Sequence, residues 1–147
     1  MGISVLSLQC PLDMVCNKGM GASLMERQGR LREICQTMTG ILSCPLTLKF
    51  RTGVDRNKPL AQKLLRKVRS WNMVSACTLH GRSRAQRYTK LADWDYISSV
   101  VDTANESMEI DGRTVLVLRS SLGYVICITS VPCGNLFGLQ RQSRRCH

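Results

Sequence analysis

The sequence predicts an α/β fold built on parallel strands. Three observations support this class: short apolar runs of strand length, longer segments with apolar residues at helical spacing, and a regular alternation of the two along residues 1–104. A β-α-β-α-β-α order favours parallel strands joined by right-handed crossovers. The alternation stops after Ala104, so we treat residues 105–147 as a divergent C-terminal tail of unknown role.

The first strand and the first long helix come early in the chain. An apolar run over residues 3–8 predicts a strand, and a glycine-bearing loop from Cys10 to Gly21 follows it. The next segment predicts a helix that ends at the Pro45 break. Its apolar face carries Leu31, Ile34, Cys35 and Met38.

The second strand and helix have opposite polar and apolar sides. Residues 46–51 alternate as a strand does, with Leu46, Leu48 and Phe50 on one face and Thr47, Lys49 and Arg51 on the other. Pro59 stands where a helix could start. That helix would place the stripe Leu60, Leu64, Val68 and Trp71 opposite Lys63, Arg66 and Lys67.

A third strand is predicted over residues 75–80, and a basic loop to Leu91 separates it from a helix over residues 93–104. The strand carries Ala76, Thr78 and His80 on one face and Cys77 and Leu79 on the other. In the tail, residues 114–118 and 124–131 predict two more strands joined by a Ser-Ser-Leu-Gly turn.

Composition indicates a folded, strongly basic chain. With 44% hydrophobic residues in 147, the sequence can bury a core. A net charge of +11 suits a polyanion such as nucleic acid, although a solvated basic surface would give the same balance. Residues 56–69 contain six basic residues and residues 82–90 four, with no acidic residue in either cluster, so both are candidates for phosphate contacts.

The eight cysteines do not indicate a metal site. No two of them form a Cys-x-x-Cys pair, which argues against zinc. No secretory signal pattern opens the chain, so we expect a reducing, intracellular compartment rather than disulfides. No apolar run approaches the roughly 20 residues that span a bilayer, and we expect no membrane partner.

Four polar residues stand where the predicted parallel strands end, and ligands bind at that edge of such sheets. Cys10 follows the first strand, Lys49 and Arg51 end the second, and His80 ends the third. A thiol can donate a proton, the two cations can hold an anion, and an imidazole can bind or transfer a proton. Each also has a structural explanation: a buried thiol, the wet face of an antiparallel strand, or a satisfied polar histidine.

Three segments resemble the signature of tRNA dihydrouridine synthases, in the expected order and spacing. They are CPLDMVCNKGMGASLM at 10–25, PLTLKFRTGV at 45–54 and TLHGRSRAQRYTKLADW at 78–94. The long third segment is most similar to the eukaryotic branch that modifies the tRNA variable loop. The resemblance implies a TIM barrel with FMN at its C-terminal mouth, NADPH as the reductant and tRNA as the substrate and partner.

The resemblance also implies roles for particular residues. Cys10 matches the cysteine that protonates C5 of uridine after hydride transfer to C6. Lys49 and His80 match the flavin-contacting lysine and histidine, while Arg51 and Arg82 match the substrate side of the pocket. The chain departs from the family before Cys10, where Ser7-Leu8-Gln9 replaces the usual Asn-x-Gly.

Two classes of function remain open at this point. A complete (β/α)₈ barrel needs about 250 residues. We therefore expect residues 1–104 to form a partial barrel of three to four βα units, in a chain that is truncated, alternatively spliced or mispredicted. The first hypothesis is FMN-dependent reduction of tRNA uridine in the cytoplasm or nucleus. The alternative is a non-catalytic, basic RNA-binding fragment without flavin.

Overall fold

The computed structural model describes residues 2–106, 115–119 and 124–129, with side chains described for residues 2–104. The strands are β1 (Ser4–Ser7), β2 (Leu46–Arg51), β3 (Ala76–His80), β4 (Val115–Arg119) and β5 (Tyr124–Thr129). The helices are α1 (Asp13–Cys16), a 3₁₀ helix (Gly21–Met25), α2 (Gln28–Ile41), α3 (Ala61–Trp71) and α4 (Trp94–Glu106).

These strands form one sheet in the order β1-β2-β3-β5-β4. β2 pairs in parallel with both β1 and β3, which confirms the predicted α/β class and parallel arrangement. The alternative prediction, that Lys49 and Arg51 lie on the solvent-exposed face of an antiparallel strand, is therefore wrong. The tail strands lie where residues 114–118 and 124–131 predict them, but β5 pairs antiparallel with β3 and β4 pairs antiparallel with β5. The Ser-Ser-Leu-Gly turn and the rest of the tail lie outside the described residues.

The main core lies between the parallel strands and the helices. Leu46, Leu48 and Phe50 are each at most 1% exposed, and Cys77 and Leu79 of β3 lie in the same cluster. The alternation of both strands thus places their faces as predicted, because successive side chains of a strand point to opposite sides. The opposite face, with Lys49 and His80, is left for the polar residues.

The helical stripes are also as predicted, with one difference in length. Leu31 and Cys35 of α2 and Leu64 and Val68 of α3 are buried against the core. However, α2 ends at Ile41 rather than at Pro45, because Leu42 already has an extended backbone, with φ −82° and ψ 133°. Within the described residues, no helix is long and apolar enough to cross a membrane.

The segment predicted as a loop from Cys10 to Gly21 contains a helical turn. The short helix α1 begins at Asp13, and the 3₁₀ helix begins at Gly21 itself. Both Gly19 and Gly21 have positive φ values, of 72° and 60°. Glycine takes this conformation without the steric cost that a side chain would add. The segment therefore folds back compactly over the end of β1.

Candidate functional site

The three parallel strands end side by side, and their last polar residues share one face. Arg51 is paired with His80, and Lys49 is paired with Ser7 on one side and Thr78 on the other. Register partners in a sheet point to the same side, so the structure brings Lys49, Arg51 and His80 together as predicted. Their functional roles stay predictions.

His80 is the most electrostatically perturbed group at this edge. It is 3% exposed, and its ring nitrogen Nε2 lies 3.4 Å from Nη1 of Arg82. Burial is the largest cause that lowers the pKa of His80, to about 4, and the positive charges of Arg51, Arg82 and Lys49 lower it further. The imidazole is therefore neutral near pH 7, at the centre of a cluster of cations.

Arg51 is buried, with 1% exposure, and it joins two loops. Its Nε donates to the carbonyl of Gln9, at 2.8 Å, just after β1. Its Nη1 donates to the carbonyls of Ser83 and Arg87, at 3.2 and 3.3 Å, in the loop after β3. The guanidinium also lies 5.5 Å from the ring centroid of Tyr88. Arg51 thus fixes the relative positions of the loops that follow β1 and β3.

Cys10 is a half-buried free thiol on a backbone held at three consecutive carbonyls. Arg51 donates to Gln9 on one side, and Nε of Arg84 donates to Pro11 on the other, at 3.2 Å. The carbonyl of Cys10 itself accepts the backbone N–H of Ala22 at 3.1 Å. Such fixed flanks define where the thiol can lie.

Gly21 is required for this arrangement. A Cβ at this position would lie 2.7 Å from the carbonyl oxygen of Cys10 and 3.0 Å from its Cβ, where real Cβ atoms do not fit. The positive φ of Gly21 adds a second reason for glycine. The loop from Cys10 to Gly21, which we call the cysteine loop, therefore closes only because the 3₁₀ helix starts with a residue that has no side chain.

The loop after β3 contributes two arginines that the sequence did not single out. Arg84 donates to Oδ1 of Asp13 at 2.5 Å, and Nη2 of Arg87 lies 3.7 Å from Oδ2 of the same carboxylate. Arg82 instead donates to the carbonyl of Lys90 at 2.5 Å. The sequence signal for this network was a lone acidic residue in the cysteine loop and a cluster of arginines about 70 positions later, which by itself selects no pair.

The two basic clusters differ in how much charge they offer to a ligand. In the first, Arg56, Lys58, Lys63, Arg66 and Lys67 are exposed. Arg69 is an exception: it is 7% exposed and donates to the carbonyl of Ala104 at 2.7 Å, so it belongs to the interface of α3 with α4 rather than to a phosphate-binding surface. In the second cluster, Arg87 and Lys90 are exposed.

The remaining cysteines and a small cavity do not indicate a second functional site among the described residues. Where side chains are described, Cys10, Cys16, Cys35, Cys44 and Cys77 are free thiols, and burial raises the pKa of Cys35 to about 11, so it stays protonated. No group of three metal-ligating side chains occurs among the described residues. A cavity of about 250 Å³ beside the 3₁₀ helix is lined by acids and bases in equal number, including Glu26 and Lys58.

The residues at the strand ends fit an anionic, carbonyl-rich ligand. Nε2 of Gln9 is buried and has no hydrogen-bond partner in the described part of the chain, which leaves its two N–H donors for a ligand. The charges acting on His80 are those of three cations. A buried amide donor after β1 and several cations at the ends of β2 and β3 suit the oxygen acceptors of an anionic ligand.

The chain is similar to proteins of one known family. Residues 6–115 match the family described as Dihydrouridine synthase (Dus). Proteins named tRNA-dihydrouridine(47) synthase (NAD(P)(+))-like from Xenopus tropicalis and Homo sapiens are each 48% identical over 100 residues, which is 68% of this chain. A tRNA-dihydrouridine(47) synthase from Yarrowia lipolytica is 41% identical over 124 residues.

The chain spans only 16%, 15% and 20% of the length of these three relatives. The family match itself covers well over half of the chain and includes all five predicted site residues: Cys10, Lys49, Arg51, His80 and Arg82. The matched segment also contains the end of β1 and all of β2 and β3. On this evidence the chain belongs to the dihydrouridine synthase family.

Proposed function

We propose that the complete protein reduces uridine to dihydrouridine in tRNA, and that this chain supplies part of its flavin site. The observation that carries the proposal is the convergence of Lys49, Arg51 and His80 at the ends of β2 and β3, with Cys10 just after β1. The names of the relatives, which specify uridine 47 and NAD(P)(+), support the substrate and the reductant.

The proposed architecture is part of a (β/α)₈ barrel with its active site at the carboxyl ends of the strands. Three consecutive parallel strands support this proposal, because a barrel repeats that unit. In this chain β5 occupies the edge of β3 where a barrel would continue with another parallel strand. The boundary between the barrel segment, residues 1–104, and the tail, residues 105–147, stays a prediction.

FMN would be held by Lys49 and His80, with NADPH as its reductant. Bound FMN would supply the hydride that reduces the uracil ring. The cation of Lys49 would stabilise negative charge on the ring edge that it faces. His80 is neutral near pH 7, because its pKa is lowered to about 4, so it would contribute a hydrogen bond without adding another charge.

Cys10 would act as the proton donor to C5 of uridine. Its free thiol is half-buried, and three consecutive backbone carbonyls around it are hydrogen-bonded. Holding a donor in place before reaction removes much of the entropic cost of proton transfer. Hydride at C6 and the Cys10 proton at C5 together complete the reduction and leave a thiolate. Arg51 and Arg82 would complete the substrate side of the pocket.

The partner proposed for the basic surface is tRNA. A uridine in folded RNA must leave its stack to reach the pocket, at a cost of a few kcal/mol. Contacts of Arg56, Lys58, Arg87 and Lys90 with phosphates would offset that cost, since these side chains are exposed. The proposed compartment is the cytoplasm or the nucleus, where tRNA is found.

Replacement of the proton donor tests this function. A complete relative with the change that corresponds to Cys10→Ala should retain its flavin and lose dihydrouridine formation, measured on unmodified tRNA. The change that corresponds to Cys44→Ala is the matched control, because Cys44 is also a half-buried free thiol but lies between α2 and β2. Undiminished product from the first variant would refute the role of Cys10.

The exposed basic clusters favour one alternative, a non-catalytic RNA-binding fragment. Both candidates bind tRNA less tightly as salt increases, so binding alone does not separate them. Colour does. A purified chain that absorbs in the flavin bands supports the reductase, whereas a colourless chain that binds tRNA in a salt-sensitive manner supports the RNA-binding fragment.

A further inference from the structure

An ionic contact ties the loop that carries Cys10 to the basic loop after β3. We propose that Asp13 and Arg84 are positioning residues that hold the Cys10 thiol in place. This inference rests on the proposed function, in which Cys10 donates a proton. It adds a role for two residues that form no described hydrogen bond with Lys49 or His80, the residues proposed to hold the flavin.

Arg84 contacts the cysteine loop at two points. Its Nε donates to the carbonyl of Pro11, the residue after Cys10, at 3.2 Å, and its Nη2 donates to Asp13 at 2.5 Å. One planar guanidinium thus bridges a backbone acceptor and a carboxylate two residues apart. Lysine could not reproduce this geometry, because it presents a single point charge on a flexible stem.

Arg84 is itself anchored to a third loop. Its backbone N–H donates to the carbonyl of Gly53 at 2.9 Å, and that of Ala85 donates to Val54 at 3.1 Å, both in the loop after β2. The arginine therefore transmits the positions of β2 and β3 to the segment after β1. Arg51 does the same on the other flank of Cys10, through Gln9.

The energetics suit a positioning role rather than a role in global stability. The side chains of Arg84 and Asp13 are 22% and 70% exposed. Ion pairs with such access to solvent contribute about 0.2–1 kcal/mol. Loss of this pair should leave the core intact, because none of the core residues takes part in it. The loop would instead sample more positions.

The first test measures the thiol directly and needs no catalytic activity. Alkylation of Cys10 by iodoacetamide, followed by peptide mass spectrometry, should be about two- to fivefold faster in Asp13→Asn and in Arg84→Lys. The effects of the two single variants should not add fully in the double variant, because both variants lose the contact between Arg84 and Asp13. The melting midpoint and the alkylation of Cys44 should not change, which distinguishes positioning from general loosening.

Asp102→Asn is the matched control, since Asp102 is an exposed acid on α4. In this variant, iodoacetamide should alkylate Cys10 at the wild-type rate. Salt near 1 M should accelerate alkylation of the wild type toward the rate of the variants, because it screens the exposed pair, and should leave the variants unchanged. Wild-type rates in both single variants would overturn the proposal.

The second test separates this inference from the proposed function. In a complete relative, the change that corresponds to Asp13→Asn should lower kcat about tenfold or more, since misplacing a reacting group by about 1 Å costs up to 10²-fold. KM for tRNA should not rise, because the arginines remain. If alkylation is faster in the Asp13 and Arg84 variants but the wild-type relative makes no dihydrouridine, the positioning of Cys10 by these residues is supported and the proposed function is refuted. Active relatives with unchanged kcat would overturn the positioning role.

Discussion

Strand β2 ends in two neighbouring residues that are equally buried but held in different ways. Phe50 is 1% exposed within the apolar cluster between the sheet and the helices. Arg51 is also 1% exposed, but its guanidinium donates to three backbone carbonyls at the opposite face. One side of the strand is stabilised by packing and the other by directional hydrogen bonds.

This difference separates what makes the chain fold from what makes the site. Apolar packing depends on volume and tolerates several side chains of similar size. Carbonyl contacts from an arginine depend on direction, because buried acceptors that lose their donor keep the full cost of desolvation. Changes on the two faces of β2 should therefore differ in both magnitude and consequence.

The largest loss of stability is expected from Phe50→Ala. Removing a buried aromatic side chain leaves a cavity, and the free energy of unfolding should fall by about 3–5 kcal/mol. Urea denaturation followed by circular dichroism measures this change. Leu91→Ala is the control, because Leu91 is 87% exposed and should cost little. Equal stability of the two variants would mean that the apolar cluster is not the core.

A smaller loss is expected from Arg51→Lys, about 2–3 kcal/mol, because lysine keeps the charge but cannot reach all three carbonyls. Unlike Phe50→Ala, this variant should also accelerate alkylation of Cys10 under native conditions, since Gln9 loses its donor. An Arg51→Lys protein with wild-type stability and wild-type thiol reactivity would show that the three contacts are dispensable.

The pH dependence of stability should report on His80. Its pKa is lowered to about 4, below the usual value near 6.5, so the unfolded chain binds more protons between these two values. Stability should be complete above about pH 6.5 and should decrease as pH falls toward 4. Thermal melts across this range should show a shallower dependence in His80→Gln. An imidazole NMR titration with a midpoint near 6.5 would contradict the burial of His80 among cations.

The smallest effects compare two glycines. Gly21→Ala should destabilise by about 1–2 kcal/mol, because its φ is 60° and its Cβ would meet Cys10. Gly29→Ala should stabilise by about 0.5–1 kcal/mol, because Gly29 lies in α2 and its Cβ would have open space. Denaturation midpoints measure both changes. The same sign for both would remove the steric argument at Gly21.

The packed face could be predicted from the sequence because it follows a period. Leu46, Leu48 and Phe50 repeat every second residue, and the stripes of α2 and α3 repeat at helical spacing. The same periods placed Lys49 and His80 on the opposite face, and the parallel order of the strands brought them to one edge. That much of the site follows from local pattern together with connectivity.

The hydrogen-bonded face could not be predicted in this way. Arg84 and Asp13 are 71 positions apart, and Arg51 binds carbonyls that any residue could provide. Arg69 has the same residue type as its exposed neighbours yet is buried against Ala104. The antiparallel pairing of β5 with β3 likewise depends on where the chain returns, which strand periodicity does not specify. Such contacts depend on tertiary geometry rather than on composition.

Titration of FMN into this chain tests the central claim most directly. FMN should bind to the wild type, and its fluorescence should decrease on binding. The melting midpoint of the wild type should rise, because ligand binding stabilises the folded state. Lys63→Met, which changes an exposed lysine of α3, should behave like the wild type, whereas Lys49→Met should lose most of the effect. No uptake by the wild type, or equal uptake by Lys49→Met, would contradict a flavin site at the carboxyl ends of the strands.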